Sequence, residues 1–174
     1  MYLLKIMVKI FTSLIYIMPN TLTKARPEES RFYYHFIRVG FDYSQAGGTK
    51  IYLPMPASEN QREGVSLSGA SESVVFLCPF DGSLETVWAR SEEFGGSTVI
   101  GLHVGTGTTE TPSPGYTQSV TVDMAVDDTS YEFDFASAGT NTFSKGNILV
   151  FSFDPTNDTN DTHLMVVLKF DVTT

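Results

Sequence analysis

The sequence predicts an all-β fold, an antiparallel β-sandwich of jelly-roll type with about eight to ten strands. Three observations carry this. From Arg31 onward apolar residues recur with period two, not 3.6. The strand-like runs lie roughly 10–15 residues apart with turn residues between them. No stretch offers a crossover helix, so parallel βαβ units have no room. Eight strands in two packed sheets suit a jelly roll, and the lack of an internal repeat excludes solenoids and propellers.

The elements follow in order. Arg31–Phe41 is aromatic-rich and β-branched, a strand by composition. Thr49–Leu53 is short and stops before Pro54 and Pro56, which cannot donate to a central ladder. Val65–Leu67 is a minor strand candidate. Ser73–Cys78 is continuously apolar and reads as a strand buried on both faces. Asp81-Gly82 reads as a turn, after which Leu84–Arg90 runs on as a strand. Gly95-Gly96 breaks the chain before the strand Ser97–Val104, and Gly105 to Gly115 is a loop dense in turn residues.

The clearest alternation follows. Val120, Val122, Met124 and Val126 point one way, with Ser119, Thr121 and Asp123 opposite. After a turn at Asp127-Asp128, Tyr131, Phe133 and Phe135 face inward, with Glu132 and Asp134 outside. Phe143-Ser-Lys-Gly146 is a turn feeding Asn147–Asp154, which forms the last pair with Leu164–Val172.

Domain organisation is simple: a leader over 1–26 and a sandwich domain over 27–174. The uncharged apolar run Ile10–Met18 is far shorter than the roughly 20 residues of a membrane-spanning helix. Lys5, Lys9 and the apolar stretch resemble a short signal peptide, but Leu22–Ala25 is no clean cleavage site. An assembly tail, an artefact of the start site and a signal are all open readings. Charge is uneven: residues 1–50 carry +4 and the rest −13. An acidic body repels phosphates, so nucleic acid is not an expected partner. The single cysteine, Cys78, allows no intrachain disulfide and reads as a small buried hydrophobe.

Catalytic and metal signatures are missing from the sequence. His35, His103 and His163 are widely spaced, with no zinc-type partner, and read as structural. There is no Gly-x-Ser-x-Gly elbow, and the glycines of Gly101–Gly107 lead into a loop, not into a phosphate-binding helix. Glu92-Glu93 reads as a solvated strand end, since neighbours on a strand face opposite ways. Asp154, Asn157, Asp158, Asn160 and Asp161 offer hard oxygens of the kind calcium takes. Their spacing is not that of a twelve-residue calcium loop, and Asp and Asn populate ordinary turns, so the first reading is a turn. Asn157 and Asn160 also sit in Asn-x-Thr acceptors, which matter only on a eukaryotic secretory route. No cofactor and no catalysis are expected.

Aromatic residues are the stronger signal. Phe32, Tyr33, Tyr34, Phe36 and Phe41 crowd one strand. Adjacent Tyr33 and Tyr34 must point to opposite faces. The second face is covered either within the domain or at a subunit interface, where Tyr and Phe are enriched. Trp88 reads as a core or interface aromatic.

Three phrases carry a resemblance: Phe80–Leu84 with Val87, Arg90–Glu92 and Ser97–His103; Val120–Asp123 leading to Tyr131–Phe135; and Phe143–Pro155. Together they resemble small virion proteins of marine tailed phages, including tail-fibre-like and capsid-associated proteins, over about residues 31–174. The leader departs from that pattern. The resemblance implies a β-sandwich that homo-oligomerises on a virus particle, often as a trimer. Other virion proteins are the further expected partners, and a host surface glycan is an open reading. The alternative is a secreted bacterial carbohydrate-binding module, with the leader as signal and Trp88 or Tyr116 as sugar platform.

Overall fold

The computed structural model describes residues 31–41, 46–53, 75–106 and 112–172, except the side chain of Phe41. The leader, Pro27 to Ser30 and the minor strand candidate Val65–Leu67 lie outside the described residues. Ten strands and no helix are found among the described residues: β1 (Phe32–Phe41), β2 (Ile51–Tyr52), β3 (Phe76–Leu77), β4 (Asp81–Arg90), β5 (Gly96–Gly105), β6 (Gln118–Met124), β7 (Tyr131–Asp134), β8 (Thr142–Phe143), β9 (Ile148–Asp154) and β10 (Thr162–Asp171).

They form two sheets of five strands. The first has the order β1-β10-β4-β7, with β8 also on β4; the second has β2-β9-β5-β6, with β3 also on β9. Every pairing is antiparallel. The main pairs are nested: β5 with β6, β4 with β7, β2 with β9 and β1 with β10. A long hairpin has been rolled up, and the contacts of β10 on β4 and of β9 on β5 close the roll. That is the double-sheet jelly roll. Its outermost ladder joins Phe32 to Asp171, so most of the chain lies between two paired strands. Such non-local pairing must bear the entropy of closing a long loop before it is rewarded.

The core lies between the sheets and follows the period-two pattern. Ile37, Val39, Leu84, Val87, Phe133, Leu164, Val166, Leu168 and Phe170 come from the first sheet; Ile51, Ile100, Leu102, Met124, Leu149, Phe151 and Phe153 come from the second. Phe133, Phe135, Phe151 and Phe153 are fully buried. Each contributes on the order of 1.5–3 kcal/mol of burial free energy.

Four local expectations are corrected. Over its described part, residues 75–78, the expected strand Ser73–Cys78 is not buried on both faces: β3 is two residues long and Leu77 is exposed, though Cys78 is buried. Asp81-Gly82 is no turn; both residues pair with β10, opposite Asp171 and Phe170. Gly82 is there for close approach, because a Cβ would run into the Lys169 carbonyl and the Phe143 ring. Val126 lies beyond β6 and is exposed, its N–H taken by the Tyr131 hydroxyl at 2.8 Å. The two strands about the Asp127-Asp128 turn lie in opposite sheets, as do β9 and β10, so neither is a paired hairpin. Alternation marks which side of a strand faces inward but not which strand lies beside it.

β4 carries a bulge at Glu85: Thr86 faces Val167 and Leu84 faces Leu168. The freed Glu85 carbonyl accepts the N–H groups of Phe135 (3.0 Å) and Ala136 (2.9 Å). The bulge thereby anchors the chain leaving β7.

Candidate functional site

The outward face of the first sheet is built by register. Across β1, β10, β4 and β7 one row reads Phe36, Val167, Thr86, Asp134, and the next reads Arg38, Met165, Trp88, Glu132. Tyr34 stands beside Lys169 and Ser83, and Phe32 beside Asp171 and Asp81. Phe32 is 50% exposed, Tyr34 47%, Phe36 58% and Trp88 37%, so four large aromatics of one face reach water. Val167, at 8%, is shielded by these neighbours.

Charged groups frame the stripe. Lys169 Nζ sits 4.0 Å from the centre of the Phe32 ring, a cation–π contact. Arg90 bonds Asp128 at 2.7 Å, an exposed pair that adds little to stability.

The six interface expectations are thereby sorted. Phe32, Tyr34, Phe36 and Trp88 share this face. Tyr33, opposite Phe170, belongs to the inward-facing row yet is 58% exposed, because among the described residues β1 is the sheet's edge. Phe41 is the last residue of β1 and its side chain lies outside the described residues.

The outward face of the second sheet holds a buried cluster. His103 on β5 is fully buried, between Tyr52 (ring centres 5.5 Å) and Tyr116 (5.2 Å). Its Nδ1 faces the carbonyls of Gly115 (3.0 Å) and Ser113 (3.2 Å), so Nδ1 carries the proton. Nε2 then accepts from the Ser152 hydroxyl at 3.0 Å. Burial lowers the His103 pKa from its ordinary value, the two carbonyls oppose that, and nearby Lys50 adds to it.

Lys50 Nζ lies 4.8 Å from the Tyr116 ring centre and donates to the Pro114 carbonyl at 3.2 Å. The Tyr116 hydroxyl reaches Asp154 at 3.4 Å. Burial and the Asp154 carboxylate raise the Tyr116 pKa. The ring packs on Gly101, where a Cβ would collide with it. His103 thus pins the segment 112–117 onto the sheet. The sequence signal for this was a glycine inside a strand, which marks close approach by another group.

The oxygen-rich segment serves local structure. Asp154 meets Tyr116, the Asn157 N–H donates to the Gly95 carbonyl at 3.0 Å, and Asp158 accepts the Gly47 N–H at 2.7 Å. The Asn160 carbonyl takes the Ser91 hydroxyl at 2.8 Å, and Asp161 adopts a positive φ of 41°. Among the described residues no three His, Cys, Asp or Glu side chains converge as a metal site. His35 packs on Phe76 and Phe170, and His163 is exposed. Glu92 and Glu93 are exposed just beyond β4. Burial pushes the Cys78 thiol up to about 12, which leaves it unreactive.

No protein-family model matches the sequence, and no curated protein sequence matches it. Among solved structures, the infectious bursal disease virus VP2 subviral particle is 9% identical over 81% of this chain and 33% of that one, with a TM-score of 0.41. The BFDV capsid protein in its 60-mer is 14% identical over 83% of this chain and 95% of that one, at a TM-score of 0.28. The low-affinity xylan-binding module CBM86 from Roseburia intestinalis is 12% identical over 81% and 95%, at 0.32. The chain spans about a third of the length of the infectious bursal disease virus chains. These overlaps are loose, and the jelly-roll assignment above rests on strand order alone.

Proposed function

We propose that this domain is a structural component of a virus particle, a tail-fibre, receptor-binding or capsid-decoration module of a tailed phage, and that it works by assembling with copies of itself and with other virion proteins. One observation carries the reading: the exposed aromatic face of Phe32, Tyr34, Phe36 and Trp88 on the first sheet. Exposed apolar patches framed by polar groups mark interaction sites. The fold is compatible, since jelly rolls serve viral coats and lectins, though fold alone does not assign function. The role is proposed as non-catalytic.

The test is light scattering on the full chain at micromolar concentration. A multimer is expected, and Phe36→Asp is expected to dissolve it while shifting unfolding free energy by no more than about 0.5 kcal/mol, as for an exposed position. A strict monomer at high concentration refutes the reading.

A second reading, carbohydrate binding, is favoured by Tyr116, which is 40% exposed and held between Lys50 and Asp154. A sugar needs such an aromatic surface with polar groups beside it. A monomer whose Tyr116 environment changes on adding a soluble polysaccharide supports that reading instead.

A further inference from the structure

Strand β1 ends the first sheet, and among the described residues no strand pairs with its outer edge. A bare edge is a template for another strand, and proteins protect edges by shortness, proline, charge or bulges. The other edges are protected in this way. β7 is four residues long and carries Glu132 and Asp134; β2, β3 and β8 are two residues long; β6 is seven residues long and four of them, Gln118, Ser119, Thr121 and Asp123, are polar. β1 is ten residues long, without proline, and Arg38 is its one Lys, Arg, Asp or Glu. The pairing of β1 with β10 runs its whole length without a break in register.

Both flanks of this edge are apolar. Phe32, Tyr34 and Phe36 stand on the outward side and Tyr33 on the other, all four about half exposed. A ligand lying on the face would touch only one flank and would leave the edge backbone bare. A strand laid alongside would cover both flanks and satisfy the edge.

We propose that the strand laid there is β1 of a second copy, antiparallel about a two-fold axis at Phe36, so that the two five-stranded sheets become one continuous sheet. This rests on the assembly reading above. The strand suits itself. With Phe36 opposite Phe36, Arg38 of each copy falls opposite Tyr34 of the other, a cation–π pairing. The two arginines then stand about 14 Å apart along the strands, beyond the roughly 8 Å screening length at physiological salt. Half-exposed aromatics of about 200 Å² each offer at most roughly 400 Å² per copy from four side chains, or about 800 Å² for the pair. The edge backbone and the Arg38 stems bring the total toward the roughly 1,200 Å² at which stable interfaces begin. A two-fold makes the unit a dimer, in place of the trimer that the resemblance implies.

The experiment is amide hydrogen exchange on the full chain across a dilution series, with mass measured on the same samples. The expected result is that alternate β1 amides, those pointing away from β10, gain protection as the multimer forms and lose it on dilution. Mild oxidation of Phe36→Cys is expected to give a covalent dimer, whereas Leu77→Cys, at a slightly more exposed position, gives none. A multimer whose β1 amides show no concentration dependence overturns the edge pairing and leaves the assembly reading standing. Protection that is equal at every concentration assigns the edge to the chain's own remaining residues and also overturns it. A monomer throughout overturns both.

Discussion

Replacing His103 by leucine is expected to destabilise the domain by about 2–3 kcal/mol. The side chain is fully buried and bridges β9 to the segment 112–117 through Ser152, Ser113 and Gly115. Leucine fills similar volume but leaves the buried Ser152 hydroxyl without its acceptor, a loss of about 1–3 kcal/mol. The Tyr116 hydroxyl is within reach of Ser152 and holds that figure toward its lower end. The two loop carbonyls lose a shared donor, worth about 1 kcal/mol more. For a domain of this size each kcal/mol lowers Tm by roughly 2–4 °C, so a drop of about 5–10 °C is expected by calorimetry. The pH dependence is the sharper signature. The folded pKa lies below the ordinary 6.5, so the unfolded chain takes up the proton first as pH falls. The stability tied to neutral His103 is therefore intact above about pH 6.5 and is lost as pH drops from there through the folded pKa. His103→Leu should remove that part of the acid sensitivity. The control is His163→Gln at an exposed position, expected within about 0.5 kcal/mol of wild type. If His103→Leu proves as mild as the control, or keeps the full acid sensitivity, the latch does not hold the segment as described.

Two further outcomes follow from packing. Gly101→Ala puts a methyl group into the Tyr116 ring and within 2.5 Å of Ser152 Oγ; a loss of about 1–3 kcal/mol with a changed near-ultraviolet tyrosine signal is expected, and an unchanged signal refutes the contact. A chain starting at Pro27 is expected to unfold at the same urea concentration as the full chain, because among the described residues the buried core begins at Ile37; a lower midpoint would show that the leader packs against the domain.

The candidate face was half legible. Phe32, Tyr33, Tyr34 and Phe36 stood out in the sequence as more aromatic surface than one strand can bury inward. Trp88 stood out as a lone tryptophan. That Trp88 joins Phe36 on one face depends on β10 lying between β1 and β4, which no local pattern encodes. The His103 cluster was not foreseen. Its partners come from β2, β9 and the 112–117 segment, and the sequence offers only a histidine in a strand and a glycine two residues before it.

By itself the sequence determined where most of the long strands run and which side of each faces inward, as Leu149, Phe151 and Phe153 on β9 and Leu164, Val166, Leu168 and Phe170 on β10 illustrate. Side chains alternate along an extended backbone, so a period-two apolar pattern carries that much without reference to any neighbour. The tertiary structure decided the rest: that β9 and β10 part into opposite sheets, that Glu85 bulges, that Gly82 lies under Lys169 and Phe143, and that β1 is left as a long apolar edge. Those outcomes depend on which strands meet when the nested hairpin rolls up, and an alternating pattern fits many neighbours equally well until the whole roll has closed.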